Sequence, residues 1–390
     1  MTLASQPIPL SQPDITQKEI DAVVEVLQTP ILSIGPKIGE FEMQVARLVN
    51  RHHAVAVSSG TAGLHCAMLA AGIGPGDEVI TTPFSFVAST NCILYVGAKP
   101  VFADINSRTL NLDLAKAQAA VTPKTKAIVM VEAFGHPGGM VEIEQFARRA
   151  ELTLIEDCCE GFGGTVGIGP RELRPIGSFG LAGVFAFYPN KQITTGEGGI
   201  IVTDDEKFAD VCRSLRNQGR EGMGWLAHQR LGFNYRLSEL HAALGIAQLS
   251  RLEHILDNRR RVAQLYMERL MTNKFVILPT LDDQTHISWF VFVVRLNEMF
   301  EPADRDQIIQ SLREAGIGSS NYFPPIHLQP YMIQQFGFKA GDFPICEHIA
   351  ARTIALPFFS RMTESQVDRV CEEFERILEK TVVGRKKSRF

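Results

Sequence analysis

The sequence predicts an α/β fold in which a large domain with a mostly parallel sheet is followed by a smaller α+β domain. Through the first two thirds of the chain, short runs rich in Val and Ile alternate with Ala-rich or amphipathic stretches. Nearly continuous apolar runs of this length are typical of strands that helices cover on both faces of a parallel sheet. The chain also has 390 residues, more than a single hydrophobic core usually organises, so we expect two domains.

The predicted strands of the large domain are apolar and rich in β-branched residues, and turn residues separate them from the helical stretches. They cover residues 53–58, 78–82, 100–104, 127–132, 152–157, 183–188 and 199–203. The Ala-rich segment 62–71, which follows the first strand, has helical composition. Because strands and helices alternate along the chain, the sheet is expected to be mostly parallel.

The sequence changes character near residue 250, where we place the domain boundary. We predict an N-terminal arm over 1–13, the large domain over 14–250 and the small domain over 251–390. The elements that indicate this division are a charged helix over 237–270, strands over 275–278 and 288–296, and helices over 305–315 and 365–380. We expect Thr363 to cap the last helix and the basic segment 384–390 to be a solvated, disordered end.

Composition and charge argue against several classes of protein. The formal net charge of −4 disfavours a general nucleic-acid binder, which normally carries a basic excess. The first residues lack the basic and apolar regions of a signal peptide, and the longest apolar runs, 53–57 and 198–203, are too short to span a bilayer. The seven cysteines include no CxxC pair, which favours a reducing compartment over a disulfide framework or a zinc site. We therefore expect a cytoplasmic protein without a metal, nucleic-acid or membrane partner.

Lys191 is the first residue that points to chemistry. It lies in the segment 185–199, FAFYPNKQITTGEGG, after a predicted strand and before a glycine-rich turn. In open α/β folds ligands bind at this edge of the sheet, and a lysine that burial deprives of its proton can attack a carbonyl. Taken alone, such a lysine is more often a surface residue that keeps the protein soluble.

Two further elements strengthen this interpretation. Asp157 ends a predicted strand, so its carboxylate projects from the same edge, where pyridoxal 5'-phosphate (PLP) needs an acidic partner for its ring nitrogen. The small residues of 58–64, SSGTAGL, allow backbone N–H groups at a helix N-terminus to approach a phosphate. Each also has a simpler explanation, as an aspartate that caps the next helix and as an ordinary strand-to-helix turn.

In this order and spacing, the three elements resemble the DegT/DnrJ/EryC1/StrS family of sugar aminotransferases, which have the fold type I architecture of the aspartate-aminotransferase-like superfamily. The resemblance extends over about residues 35–378. It includes the segments 81–88 (TTPFSFVA), 217–220 (NQGR), 231–240 (LGFNYRLSEL) and 322–327 (YFPPIH). Its most specific parts are NKxxTTGEGG around Lys191 and GxNYRxSE.

The resemblance implies a role for each matching residue. Lys191 holds PLP as a Schiff base and shuttles the proton between cofactor and substrate, and Asp157 pairs with the pyridine nitrogen. The other implied roles are the phosphate cradle of Gly60, Thr61 and Ala62, the stacking of Phe86 on the cofactor ring, the reach of Asn234 to the phosphate of the neighbouring subunit in a homodimer, and a sugar-nucleotide site that includes Tyr322 and His327.

Two positions depart from the common family pattern. Many members have Gln or His three residues after the aspartate, beside the phenolic oxygen of the cofactor, where this chain has Glu160. A carboxylate there must be protonated to donate a hydrogen bond. Many members also have a phosphate-binding Ser five residues before the lysine, where this chain has Ala186. The adjacent Cys158 and Cys159 we interpret as small buried spacers.

The activity that the resemblance implies is amino transfer in amino-sugar or polysaccharide biosynthesis. L-Glutamate gives its amine to PLP, which becomes pyridoxamine 5'-phosphate, and the amine then passes to a keto group of a nucleotide-linked deoxy-sugar, with C4 favoured over C3. Two alternatives stay open. A PLP-dependent sugar dehydratase shares the fold, but the family's dehydratases have histidine in place of the lysine. A non-catalytic regulatory member would carry added or remodelled segments for its partners.

Overall fold

The computed structural model describes residues 6–169, 172–221, 227–281 and 285–388, with side chains up to Val383. In chain order its regular elements are α1 (Gln17–Leu27), α2 (Pro36–Leu48), β1 (His53–Val57), α3 (Gly60–Ala70), β2 (Glu78–Thr81), α4 (Ala88–Tyr95), β3 (Lys99–Phe102), α5 (Leu114–Ala119), β4 (Thr125–Val131), α6 (Met140–Arg149), β5 (Thr153–Asp157), β6 (Thr165–Gly169), β7 (Glu172–Pro175), β8 (Ala182–Ala186), β9 (Gly199–Thr203), α7 (Glu206–Arg216), α8 (Glu239–Leu249), α9 (Leu252–Leu270), β10 (Val276–Ile277), β11 (Thr285–His286), β12 (Phe292–Leu296), α10 (Pro302–Glu314), α11 (Pro330–Phe336), α12 (Pro344–Ala350), β13 (Thr353–Leu356) and α13 (Glu364–Ser388). Short 3₁₀ turns cover Ala133–Gly135 and Ile326–Leu328.

A seven-stranded sheet forms the centre of the molecule, with the strand order β1-β9-β8-β5-β4-β2-β3. Six of its strands run in the same direction, and β9 runs antiparallel to both of its neighbours. The mostly parallel sheet expected from the sequence is therefore confirmed. The strand boundaries differ from the predicted ones by at most two residues.

Helices cover both faces of this sheet. Alternate residues of β1 show the division: Val55 and Val57 pack under α3, α4 and α7, whereas Ala54 and Ala56 belong to the core beneath α2, α8 and the start of α9. The helices α5 and α6 cover the remaining half of that second face. Burial on both faces is the physical reason why these strands have continuous apolar sequences.

The C-terminal third builds a smaller antiparallel sheet with the order β10-β12-β13. Its core includes residues of α9, α10 and α13, and Ile8 of the N-terminal arm also packs there. The arm is fixed by main-chain hydrogen bonds from the N–H of Ile8 to the carbonyl of Gly316 (2.9 Å) and from the N–H of Gly318 to the carbonyl of Ile8 (2.8 Å). In a third sheet, β11-β6-β7, a strand from the C-terminal third pairs with the hairpin formed by β6 and β7.

The structure corrects two expectations about helices. The predicted helix over 237–270 is two helices, because Arg251 leaves the helical conformation (φ −122°, ψ 9°) and its guanidinium binds the carboxylates of Asp14 and Glu19. The last helix continues to Ser388, so the part of the basic segment up to that residue is helical rather than disordered. The expected cap is confirmed: the Thr363 hydroxyl accepts from the N–H of Gln366, and the Gln366 side chain accepts from the N–H of Thr363.

Among the helices that the structure describes, none combines the length and the apolar character needed to cross a bilayer.

Candidate active site

The carboxyl ends of the parallel strands open into a cavity of about 690 Å³. The loops after β1, β2, β5 and β8 line it, together with Phe290 and the segment 321–324. Its wall includes seven of the residues predicted for the site, namely Gly60, Thr61, Phe86, Asp157, Glu160, Lys191 and Tyr322. The structure therefore brings together elements that lie up to 262 residues apart in the chain, from Gly60 to Tyr322.

Lys191 lies in a tight turn after β8, where its N–H donates to the carbonyl of Tyr188 at 2.9 Å. Its side chain is 13% exposed. The Nζ atom lies 3.7 Å from Oε1 of Glu160 and 4.2 Å from the ring centroid of Phe290. A carboxylate and an aromatic face both attract an ammonium group, so these two neighbours define where the amine enters the cavity.

Asp157 is the last residue of β5 and is buried. Its Oδ2 atom accepts a hydrogen bond from Oγ of Ser89 at 2.5 Å, and that hydroxyl lies 2.8 Å from Oγ of Ser85. The Oδ1 atom accepts from the N–H of Cys159 at 3.3 Å. The carboxylate is thus held in one orientation at the cavity wall, which suits a group that must meet a protonated ring nitrogen.

The N-terminus of α3 forms another part of the wall. Ser59 is the N-cap, and its hydroxyl accepts from the N–H of Ala62 at 3.1 Å. The N–H groups of the first helical turn have no partner within a helix, and the helix dipole favours an anion beside them. Gly60 keeps this surface open, since a Cβ there would lie 2.8 Å from both Sγ of Cys159 and Cβ of Ala186.

Glu160 is buried beside Lys191 and accepts a hydrogen bond from the backbone of Phe134. Its Oε2 atom accepts from the N–H of Phe134 at 2.8 Å. Burial raises the pKa of this carboxyl above its ordinary value, while the positive charge of Lys191 acts in the opposite direction. Glu160 therefore offers the cavity a carboxyl whose proton is retained to higher pH than that of an exposed glutamate.

A pair of buried carboxyls lies beside Asp157. Glu156 precedes it on β5, and Glu132 follows β4, the neighbouring strand. Carboxylate oxygens of the two glutamates and the sulfur of Cys158 all lie within 4.8 Å of one another. Glu156 accepts from the N–H groups of Gly177 (2.9 Å) and Phe179 (2.5 Å), whereas neither oxygen of Glu132 meets a donor among the described residues.

Two carboxylates this close in a buried site repel each other, which favours the state in which one of them keeps its proton. Burial raises the pKa of Glu156 to about 7 and that of Glu132 well above its ordinary value. The neighbouring negative charges of Glu156 and Asp157 raise the pKa of Glu132 further. A protonated Glu132 would donate to Glu156, which explains why its oxygens have no other donor. The pair then carries a single negative charge, which the positive guanidinium of Arg51 stabilises.

Three predicted site residues lie away from the cavity wall of this chain. Ala62 contributes its N–H to the Ser59 cap. Asn234 is exposed, in a segment that forms a bridge with Asn217. His327 is buried, with Nε2 at 3.0 Å from Oε1 of Glu347.

The position of His327 shows how the sequence pattern and the geometry differ. Its ring packs against Phe343, with ring centroids 4.7 Å apart, and burial lowers the pKa of the imidazole while Glu347 raises it. The N–H of the preceding Ile326 donates to the carbonyl of Pro83 at 2.8 Å, after β2. His327 therefore supports the loop that carries Tyr322, and Tyr322 alone of the two reaches the cavity.

The cavity wall also contains residues that sequence reasoning missed. Ser85 lines the wall, and Ser89 lies behind it, where it holds Asp157; the spacing of four residues between them could have indicated a polar contact. Phe290 gave no local signal, because an isolated phenylalanine before a strand is ordinary core sequence. The others are Ala88, Val131, Tyr188, Asn190, Glu197, Gly198, Asn321, Phe323 and Pro324. Ser59 and Ala186, whose positions the sequence had already indicated, also line the wall, and so does Cys159, which is half-buried and not the fully buried spacer that was expected.

The residues present fit PLP. The Lys191 amine could bind its aldehyde, the Asp157 carboxylate its ring nitrogen and the open N-terminus of α3 its phosphate. Phe86 projects from the loop after β2 with 62% of its surface exposed, which is unusual for a phenylalanine and leaves its ring available for stacking.

Comparison with known proteins points to one family of enzymes. The sequence model of the DegT/DnrJ/EryC1/StrS aminotransferase family matches residues 13–375. The chain is 39% identical to the spore coat polysaccharide biosynthesis protein SpsC of Bacillus subtilis, an alignment that covers 94% of this chain and 95% of SpsC. It is 38% identical to the GDP-perosamine synthase of Caulobacter vibrioides, with 95% of this chain and 98% of the synthase covered. The PLP form of Spr1654 from Streptococcus pneumoniae has a similar structure, with a TM-score of 0.91, 27% identity, and coverage of 96% and 99% of the two chains.

The shared proton of the acid pair predicts how Glu132→Gln changes stability. Burial raises the folded-state pKa of both carboxyls above the unfolded value of about 4.3, that of Glu156 to about 7, so their contribution is fully present below the unfolded pKa and is lost as the pH rises through the folded pKa of each group. The loss has a limiting slope of about 1.4 kcal/mol per pH unit for one proton. A glutamine donates to Glu156 without titrating, so urea denaturation of the PLP-saturated protein between pH 5 and pH 8 should show a flatter decline for the variant.

Glu142→Gln is the matched control, because Glu142 is an exposed glutamate on α6. It should leave the pH dependence of unfolding as in the wild type. A decline that is equally steep in Glu132→Gln and in the wild type would mean that the two carboxyls do not share a proton.

Proposed function

Because the chain belongs to the DegT/DnrJ/EryC1/StrS aminotransferase family, it is a PLP-dependent sugar aminotransferase, and we propose that it transfers the amino group of L-glutamate to a keto group of a nucleotide-linked deoxy-sugar. The C4 ketone is favoured over C3. The observation that carries the proposal is the meeting of Lys191, Asp157 and the N-terminus of α3 in one cavity. The extensive similarity to a GDP-perosamine synthase supports a nucleotide-linked substrate in amino-sugar or polysaccharide biosynthesis.

Lys191 is the residue that we propose to bind PLP and to move the proton. When bound, PLP supplies an electron sink that makes a proton on the carbon beside the substrate nitrogen acidic. The Lys191 amine enters the cavity from a largely buried position between Glu160 and Phe290, so it can take that proton and return it at a neighbouring atom. Its low exposure also limits competing proton exchange with water.

The other proposed contacts hold the cofactor in place. Asp157, oriented by Ser89, keeps the ring nitrogen protonated. The backbone of Gly60 and Thr61, with Ala62 behind them, binds the phosphate, and the absence of a hydroxyl at Ala186 places more of that binding on the helix N-terminus. Phe86 stacks on the ring, and Glu160 lies at its phenolic oxygen. A Glu160 that keeps its proton can donate to that oxygen instead of repelling it.

Glutamate and the sugar would use the same cavity in turn. Its volume of about 690 Å³ leaves room beside a cofactor, and Tyr322 lies on its wall with other polar side chains that can bind hydroxyl groups. We assign His327 an indirect part, because it is buried against Glu347 and Phe343 and does not line the cavity. The sugar-nucleotide site proposed here therefore begins with Tyr322.

We also propose that the working unit is a homodimer in which Asn234 reaches the cofactor phosphate of the partner. Asn234 is exposed and lies outside the cavity of its own chain. Ser238 is the N-cap of the following helix, α8, so Asn234 is not needed to cap it. A stripe of exposed apolar residues at helical spacing along α1, Ile20, Val24 and Leu27, offers a surface that a second copy could bury.

The cytoplasm is the proposed compartment. All seven cysteines are free thiols, and six of them are buried. Free thiols persist where the surroundings are reducing.

An amine-transfer screen tests the proposed activity. The wild-type protein, supplied with L-glutamate, should release 2-oxoglutarate and aminate an NDP-4-keto-deoxy-sugar in preference to an NDP-3-keto-deoxy-sugar, and NMR of the product should locate the new amine. Borohydride should fix PLP to Lys191. Lys191→Ala should abolish both results, whereas Lys99→Ala, at an exposed lysine, should change neither. Amine transfer by Lys191→Ala at the wild-type rate would contradict the proposal.

The shared site predicts complementation between inactive variants. In mixed dimers of Lys191→Ala and Asn234→Ala, one site collects both defects and the other collects neither. Random pairing makes half of the dimers mixed, so activity should return to about a quarter of the wild-type value. Lys191→Ala mixed with Asp157→Asn is the control, because both residues line the same chain's cavity and no intact site can form. Activity that stays at the average of the two variants would place Asn234 outside the partner's site.

A further inference from the structure

A buried arginine contacts the turn that carries Lys191. Arg259, on α9, is 2% exposed. No carboxylate of the described residues lies within ion-pair distance of its guanidinium, and its Nε atom has no partner among them. Its hydrogen bonds go to three main-chain carbonyls, those of Lys191 (2.7 Å), Trp289 (3.3 Å) and Phe290 (3.2 Å).

This arrangement is costly in free energy. A guanidinium taken from water loses its hydration, and burial lowers the pKa of Arg259 to about 10. An apolar side chain would fill this surface of α9 without that cost. Hydrogen bonds to three carbonyl groups replace part of the lost hydration. Because these carbonyls belong to two separate segments of the chain, the arginine also joins those segments.

The two segments are those that fix the lysine amine. The carbonyl of Lys191 belongs to the backbone from which the side chain extends, and the carbonyl of Phe290 belongs to the residue whose ring lies 4.2 Å from Nζ. Gln192 joins the same segments a second time, since its Nε2 donates to the carbonyls of Glu160 (2.7 Å) and Ser288 (2.9 Å). Lysine, ring and carboxylate are therefore held in one hydrogen-bonded unit.

We propose that Arg259 is a positioning residue for Lys191: by binding the carbonyls of Lys191, Trp289 and Phe290 it fixes the lysine amine between the Phe290 ring and Glu160. The proposal rests on the role of Lys191 in the proposed function. Arg259 touches neither substrate nor cofactor and acts only through the groups that it holds. A displacement of about 1 Å at a reacting group can lower a rate on the order of 100-fold, so the fixed position matters for proton transfer.

The test compares Arg259→Met and Arg259→Lys with the control Arg261→Met in the full-length, PLP-loaded protein. Arg261 lies two residues further along α9 and also donates to a main-chain carbonyl, that of Met362 at 2.7 Å, but it contacts no part of the lysine turn. Arg259→Met should lower the single-turnover rate with L-glutamate by about 10- to 100-fold. Arg259→Lys, which keeps a donor and the charge, should recover part of that loss. Arg261→Met should react at the wild-type rate.

A second readout does not depend on activity. In the cofactor-free proteins, reductive methylation of Lys191 with formaldehyde, followed by peptide mass spectrometry across pH 6–10, reports the surroundings of the amine. Its pH profile should shift in Arg259→Met and not in Arg261→Met. A shift is expected even if the two variants have equal melting temperatures, which separates positioning from a general loss of stability.

The outcomes are distinct. A wild-type rate and methylation profile in a folded Arg259→Met would overturn the proposal and leave Arg259 a structural residue. If Arg259→Met does not fold, Arg259→Lys decides, and an unchanged profile at Lys191 would overturn the proposal there. If borohydride fixes no PLP to wild-type Lys191, the proposed function fails instead, and the methylation profiles still report whether Arg259 governs this amine.

Discussion

The common direction of the parallel strands is the constraint on which the site depends. Because β1, β2, β5 and β8 run the same way, Gly60, Phe86, Asp157 and Lys191 all lie at or just beyond the carboxyl ends of their strands, at one edge of the sheet. The strand β9 runs in the opposite direction, so its amino end lies at this same edge. A Cβ on its first residue, Gly199, would lie 2.5 Å from the backbone of Ser59, so only glycine allows the chain to pass so close to the N-terminus of α3.

Concentrating carboxyl groups at this edge has an electrostatic consequence. Asp157, Glu160, Glu156 and Glu132 are all buried within neighbouring loops and strands. Four negative charges there would repel one another strongly at low dielectric. Three features reduce that repulsion: Asp157 accepts two hydrogen bonds, Glu160 faces the Lys191 amine, and burial together with the neighbouring negative charges raises the pKa of Glu132 well above its ordinary value, which favours its neutral form. Asp157 is thereby left available to pair with the ring nitrogen in the proposed PLP complex.

The sequence predicted those parts of the fold and the site that depend on local pattern. Apolar runs located the strands, and Lys191 and Asp157 stood out because each follows such a run. Residues that act over long sequence separations were missed, since Phe290 and Arg259 look like core and surface-helix residues until the chain has folded around Lys191. The break at Arg251 was missed for the same reason, because the carboxylates that bind it lie more than 200 residues earlier. His327 matched a motif, but the motif did not reveal that Glu347 and Phe343 enclose it.

The helix α9 connects the two hydrophobic cores and passes beside the lysine between them. Leu252 and Ile255, in its first turns, belong to the core of the large sheet, whereas Val262 and Tyr266 belong to the core of the small one. The change of core therefore falls within the helix, and Arg259 occupies the turn where it happens. From that turn its guanidinium reaches the carbonyls of Lys191 and Phe290, so the helix that joins the two cores also contacts the backbone on both sides of the lysine amine. The three hydrogen bonds of Arg259 therefore lie where α9 passes from one core to the other, beside the turn that carries Lys191.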